Sequence, residues 1–149
     1  MPWFEDHVIG EVRRFGHYEV TADEIVAFAR RYDPQPFHLD QVAAAAHPLF
    51  RGLTASGWHV CSMAMAMLVA EMPQGGDPTM LGAAGIDELR WLKPVHPGDV
   101  LRLEVETLAK TLDDTRPGYG VVRARTTVFR QGDAPVCRFT ALVLARTRG

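Results

Sequence analysis

Two residues in one short stretch could exchange protons with a substrate. Asp33 and His38 lie five positions apart in Asp33-Pro34-Gln35-Pro36-Phe37-His38-Leu39-Asp40. A carboxylate and an imidazole so close can hold one water molecule between them. One accepts its proton while the other donates to the substrate or orients the first. Pro34 and Pro36 fix two backbone angles, and a stiff loop keeps side chains in place. On chemistry alone the pair is a weak signal. Asp33 could simply end a helix, and His38 could be a loop histidine bonded to backbone. Asp33, His38 and Asp40 could also be drawn as a metal site. Asp40 fits better as a helix N-cap, and no further ligand cluster is evident, so no metal is expected.

Gly57 opens the long apolar run from Trp58 to Ala70. A helix N-terminus presents free N–H groups and partial positive charge, and glycine lets a ligand approach the backbone. Such an N–H could stabilise the oxyanion of a thioester carbonyl whose α-carbon becomes carbanion-like. Relief of crowding at a turn explains the same glycine equally well. Ser62 fits a serine bonded back to its own helix, since no Gly-x-Ser-x-Gly elbow surrounds it. His59 fits a core histidine, and His7, His17, His47 and His96 fit structural or solvated roles. Cys61 and Cys137 each sit inside an apolar run without metal-ligand spacing, so two reduced core thiols are expected.

These residues need elements to position them. Thr21-Ala22-Asp23-Glu24 has the pattern of a capping box, and Ile25, Phe28, Ala29 and Tyr32 follow at helical spacing. That helix should end at Tyr32 or Asp33, because Pro34 pushes its predecessor away from helical angles. A stiff loop follows, then a short helix from Asp40 to about Ala46, stopped by Pro48. Residues 57–70 are apolar on every face and predict a helix buried all round. Beyond Gly75-Gly76-Asp77-Pro78 come Ile86, Leu89, Trp91, Leu92 and Val95, then the Pro97-Gly98-Asp99 turn. Three long antiparallel strands are expected after it, over about 100–107, 119–130 and 136–144, the last two joined at Gln131-Gly132-Asp133. Residues 1–20 predict an irregular start and one strand. The arrangement is α+β, with one apolar helix available to sit in the sheet.

Length and charge bound the rest. The 149 residues suit one domain, and nearly half are apolar, enough for one core. The net charge is −2 and the signs are interspersed, so nucleic acid is not an expected partner. Residues 58–70 are too short and too punctuated to span a membrane, and no membrane partner is expected. Met1 to Asp6 contain no basic region followed by an apolar stretch, so no leader and a cytoplasmic location are expected.

Asp33-x-x-Pro36-x-His38-x-Asp40, with Phe50, Ala55-Ser56-Gly57 and the later Leu89–Val95 and Pro97-Gly98-Asp99, resembles the MaoC-like dehydratases, which include the (R)-specific enoyl-CoA hydratases. The resemblance covers most of the chain. It implies a single hot-dog domain over residues 1–149, a curved antiparallel sheet wrapped around a buried central helix. It implies reversible addition of water across the 2,3 double bond of an acyl thioester. By matching positions, Asp33 and His38 would activate water and shuttle protons, and Gly57 would donate its N–H to the thioester oxygen; Ser56 and Trp58, on either side of Gly57, are expected to contact substrate. CoA or carrier-linked pantetheine would arrive on the substrate, so no separate cofactor is implied. A homodimer or larger homo-oligomer is implied, with the acyl tunnel near the subunit interface. The sequence departs from the family at Gln35, where asparagine is usual, and at Ser56, where histidine often precedes the glycine. It departs again at Met65, the nearest match to a helix serine that bonds the aspartate in some hydratases. The competing readings are a hot-dog thioesterase and a non-catalytic acyl-binding subunit. Residues 57–70 lack the acid that many such thioesterases carry, and a complete Asp/His pair argues for activity.

Overall fold

The computed structural model describes residues 2–149. Strand β1 (Val12–Glu19) is followed by helix α1 (Ala22–Tyr32), two short helices α2 (Pro36–Leu39) and α3 (Gln41–Ala45), and the central helix α4 (Gly57–Ala70). Strands β2 (Met80–Trp91), β3 (Val100–Leu112), β4 (Tyr119–Arg130) and β5 (Ala134–Arg146) complete the chain. The five strands form one sheet in the order β1-β3-β4-β5-β2, with every neighbouring pair antiparallel. This is the expected hot-dog arrangement, a sheet around one helix.

Alternation along β3 explains its role. Leu101, Leu103, Val105 and Thr107 are buried on the inner face. Arg102, Glu104 and Glu106 point outward and pair with Asp133, Arg14 and Arg125 at 2.7–2.9 Å. Such exposed pairs add little stability, whereas the inner row forms the core. Val60, Met63, Ala64 and Met67 of α4 pack in that core with Leu101, Leu103, Val128 and Val136. Gly16 brings the sheet close to the helix. It has φ +95° at a break in β1 pairing, and a Cβ there would lie 2.8 Å from the Met67 sulfur.

Several expectations change. The loop after Asp33 holds a full helical turn, α2, because Pro36 at the first helical position has the right φ and no N–H to waste. Four strands follow the helices rather than three. Alternation does not mark β2, whose last residues fall in the Leu89–Val95 stretch of the family resemblance, because Gly82, Gly85 and three register shifts break it. The capping box is half formed. Thr21 accepts the Glu24 N–H at 3.3 Å, but the Glu24 carboxylate turns to the Tyr18 hydroxyl and to His59 Nε2. Helix α4 is not buried all round. Trp58, Met65 and Val69 are 59 %, 52 % and 52 % exposed and form a stripe on one side. Among the described residues no helix is long and apolar enough to cross a membrane.

Candidate active site

Helix α1 ends where the site begins. Asp33 is its C-cap, and its N–H bonds to the Ala29 carbonyl at 2.8 Å. The backbone leaves helical angles at Asp33, so its side chain swings off the helix axis towards α2. The turn of α2 then carries His38, which is buried. Phe37 packs edge-on against His38 and His47, while His47 stacks on Phe50. His47 Nδ1 accepts the N–H groups of Leu49 and Phe50 at 3.1 and 3.2 Å, which makes it a structural histidine. The Asp40 carboxylate accepts the Val42 N–H at 2.9 Å and caps α3.

The decisive contact comes from another segment. His38 Nδ1 lies 2.5 Å from the Thr54 carbonyl oxygen. A carbonyl can only accept, so Nδ1 carries a proton and donates it. In the neutral ring Nε2 then offers its lone pair. Nε2 faces Asp33 Oδ2 at 3.3 Å. Asp33 Oδ1 accepts the Gln35 amide N–H at 2.6 Å, so the longer amide at position 35 reaches the carboxylate itself. Burial pushes the Asp33 carboxyl up, but the polar groups of Ser56, Gln35 and His38 around it together hold it below its ordinary value. Ser56 makes no side-chain cap to its own helix, and its buried hydroxyl has no partner of normal hydrogen-bond geometry beside Asp33. Ser62 donates to the Trp58 carbonyl at 2.9 Å, and Met65 is exposed, so neither serves the aspartate.

Asp33, His38, Ser56, Gly57 and Trp58 all line one cleft of about 530 Å³. Phe50, Thr54, Trp91 and Lys93 line it too. Gly57 stands at the start of α4, where the first N–H has no intrahelical partner. The Ala55 N–H bonds to the Val95 carbonyl at 2.9 Å, which anchors the segment leading to Gly57. The Pro97-Gly98-Asp99 turn completes the frame: the Gly98 N–H bonds to Val20, and the Val20 N–H to Asp99. His59, on the opposite side of α4, bonds Glu24 at 3.3 Å and stacks on Phe28 away from this cleft. Among the described residues no group of three or more His, Cys, Asp or Glu is placed to hold a metal.

A family model described as MaoC like domain matches residues 5–129. The chain belongs to the MaoC-like domain family. This MaoC-like chain is similar to the crystal structure of a MaoC-like dehydratase from Rhodospirillum rubrum, with 38 % identity, TM-score 0.88, and coverage of 100 % of this chain and 99 % of that one. It is similar to an (R)-hydratase from A. caviae involved in PHA biosynthesis, with 27 % identity, TM-score 0.69, and coverage of 95 % and 98 %. Over 90 residues it is 34 % identical to a 3-hydroxyacyl-[acyl-carrier-protein] dehydratase of Clostridium perfringens, 60 % of this chain and 61 % of that one. These relatives are named as hydratases and dehydratases.

Two contributors to the cleft are invisible to sequence reasoning. Thr54 acts through its backbone carbonyl, which every residue type possesses. Trp91 falls in the Leu89–Val95 stretch that resembles a family strand, but nothing in that stretch marks it as a cleft residue. It lies just after a break in β2 pairing between Asp87 and Arg90, where Glu88 takes φ +54°.

Proposed function

We propose that this MaoC-like protein hydrates a 2-enoyl thioester to the 3-hydroxyacyl thioester and runs the reverse dehydration. The observation that carries the reading is the proton arrangement of the pair. Thr54 fixes the His38 proton on Nδ1, leaving Nε2 beside an Asp33 carboxylate held in its ionised form. Both groups face the cleft as proton acceptors. In the hydration direction a water between them gives up a proton to the pair as its oxygen bonds to C3. The π electrons move towards C2 and the thioester oxygen, where the Gly57 N–H meets the growing negative charge. C2 then takes a proton back from the pair. The protons balance, and the enzyme is returned unchanged.

The acyl group arrives on CoA or on carrier-linked pantetheine, so no separate cofactor takes part. Ser56 and Trp58 line the path of the ligand beside Asp33. A relative named as an (R)-hydratase and another named as a 3-hydroxyacyl dehydratase support the two directions of one reaction. Helix α4 contains no Asp or Glu, and nothing in the cleft favours hydrolysis over hydration. The exposed stripe of Trp58, Met65 and Val69 runs beside the cleft, and a second copy of the chain covers it in a homodimer.

The test is an absorbance assay for loss of the conjugated enoyl thioester over a panel of enoyl-CoAs of increasing chain length. The expected product is the 3-hydroxyacyl thioester with its thioester intact. Release of free thiol with the double bond preserved would instead assign a thioesterase.

A further inference from the structure

Gly57 does not need its glycine for backbone freedom. Its φ is not positive, and it sits inside the first turn of α4. The reason lies beside it. A Cβ on Gly57 would fall 2.6 Å from Nε1 and 2.7 Å from Cδ2 of the Trp91 indole. The space is filled by protein rather than kept for a ligand. The indole N–H also donates to the Gly57 carbonyl at 2.9 Å. Trp91 is 46 % exposed, so core burial does not hold it there. Its anchors are that hydrogen bond and an edge contact with Trp58, whose ring centre is 5.2 Å away. It follows the break in β2 pairing around Glu88, and its partner on β5 is Cys137.

We infer that Trp91 is a positioning residue that fixes Gly57 from both sides of its Cα, holding the carbonyl by a hydrogen bond and walling the Cα with the indole, so that the first turn of α4 keeps the Gly57 N–H directed into the cleft. The inference rests on the hydration reading for its kinetic consequence and on geometry alone for its structural one. The indole bonds a carbonyl in the first turn of the helix, one residue after the Ser56 carbonyl that accepts the Val60 N–H, and its ring walls one side of the glycine. Glycine is then the only residue that admits the wall.

A double-mutant cycle separates this from direct ligand contact at Gly57. Gly57→Ala alone should lower kcat about a hundredfold, the scale of a lost oxyanion donor. Trp91→Ala alone should lower kcat about tenfold with KM within about twofold, as expected when only transition-state alignment suffers. In the Trp91→Ala background the further change Gly57→Ala should cost less than about threefold, because the methyl group now has room. Equal costs in both backgrounds would overturn the inference and give the glycine to the ligand. Trp91→Phe keeps a ring and removes the donor; the Cys61 amide, which pairs with the Gly57 carbonyl in the first turn of α4 and is followed by ¹⁵N NMR, should exchange with solvent about tenfold faster than in the parent protein. Unchanged exchange would overturn the clamp whether or not the protein hydrates enoyl thioesters. A parent protein inactive on every enoyl thioester would instead overturn the hydration reading and leave the clamp to be judged by exchange.

Discussion

The chemistry proposed here depends on two side chains and on which proton each one holds. Asp33→Asn and His38→Ala should each lower turnover of an enoyl thioester about a hundredfold or more, the ordinary scale for a general acid or base. Steady-state rates with matched circular dichroism spectra check this, and near-parent rates in both variants would sink the mechanism. The Asp33 carboxyl is held below its ordinary value of 3.8, mainly by Ser56 and Gln35 working against burial. A carboxyl depressed in the folded state stabilises the fold above its unfolded value and stops doing so as pH falls through the folded one. Asp33→Asn should therefore be less stable than the parent at pH 7, and the gap should shrink as pH falls below about 4. Urea melts at a series of pH values measure it; a gap constant with pH would contradict the assignment. The residue pattern Asp33-x-x-Pro36-x-His38 was legible in the sequence. Its proton arrangement was not, because Thr54 contributes through a carbonyl that leaves no mark on residue type.

At the level of elements, the buried rows are what hold α4 against the sheet. Leu103 is fully buried on β3, facing the core that Met63 and Met67 enter. Leu103→Ala should cost about 2–5 kcal/mol, the transfer loss plus the cavity left behind. Denaturant unfolding checks the value, and a loss below about 1 kcal/mol would mean that the core can close over the gap. Periodicity located α1, α4, β3, β4 and β5, because each keeps one rhythm over two turns or several alternations. It missed β2, whose glycines and pairing breaks interrupt the alternation, and α2, which is one turn long and flanked by prolines. It also misjudged α4. A run apolar on every side predicts burial on every side, yet the sheet covers only the face with Val60, Met63, Ala64 and Met67.

On the scale of the whole molecule, that uncovered face is the clearest unfinished surface. Trp58, Met65 and Val69 form one apolar stripe, and the edge strand β2 exposes Leu81 and Ile86 as well. Light scattering should give the mass of a dimer for the parent chain. Met65→Glu should weaken association about a hundredfold or more, because a second copy would have to bury an unpaired carboxylate. A parent chain that is monomeric at micromolar concentration would end the homodimer reading. The sequence by itself determined the α+β class, the apolar central helix, and the local stretch from Asp33 to Asp40 whose pattern resembles a family of dehydratases. These are local properties, carried by spacing and side-chain type within about one element. Tertiary structure alone decided that the Thr54 carbonyl fixes the His38 proton, that the Ser56 hydroxyl is buried beside Asp33 without capping its helix, and that Trp91 fills the space beside Gly57. Each joins segments from 16 to 34 positions apart, or depends on where one hydroxyl is buried, and no periodicity encodes such distances.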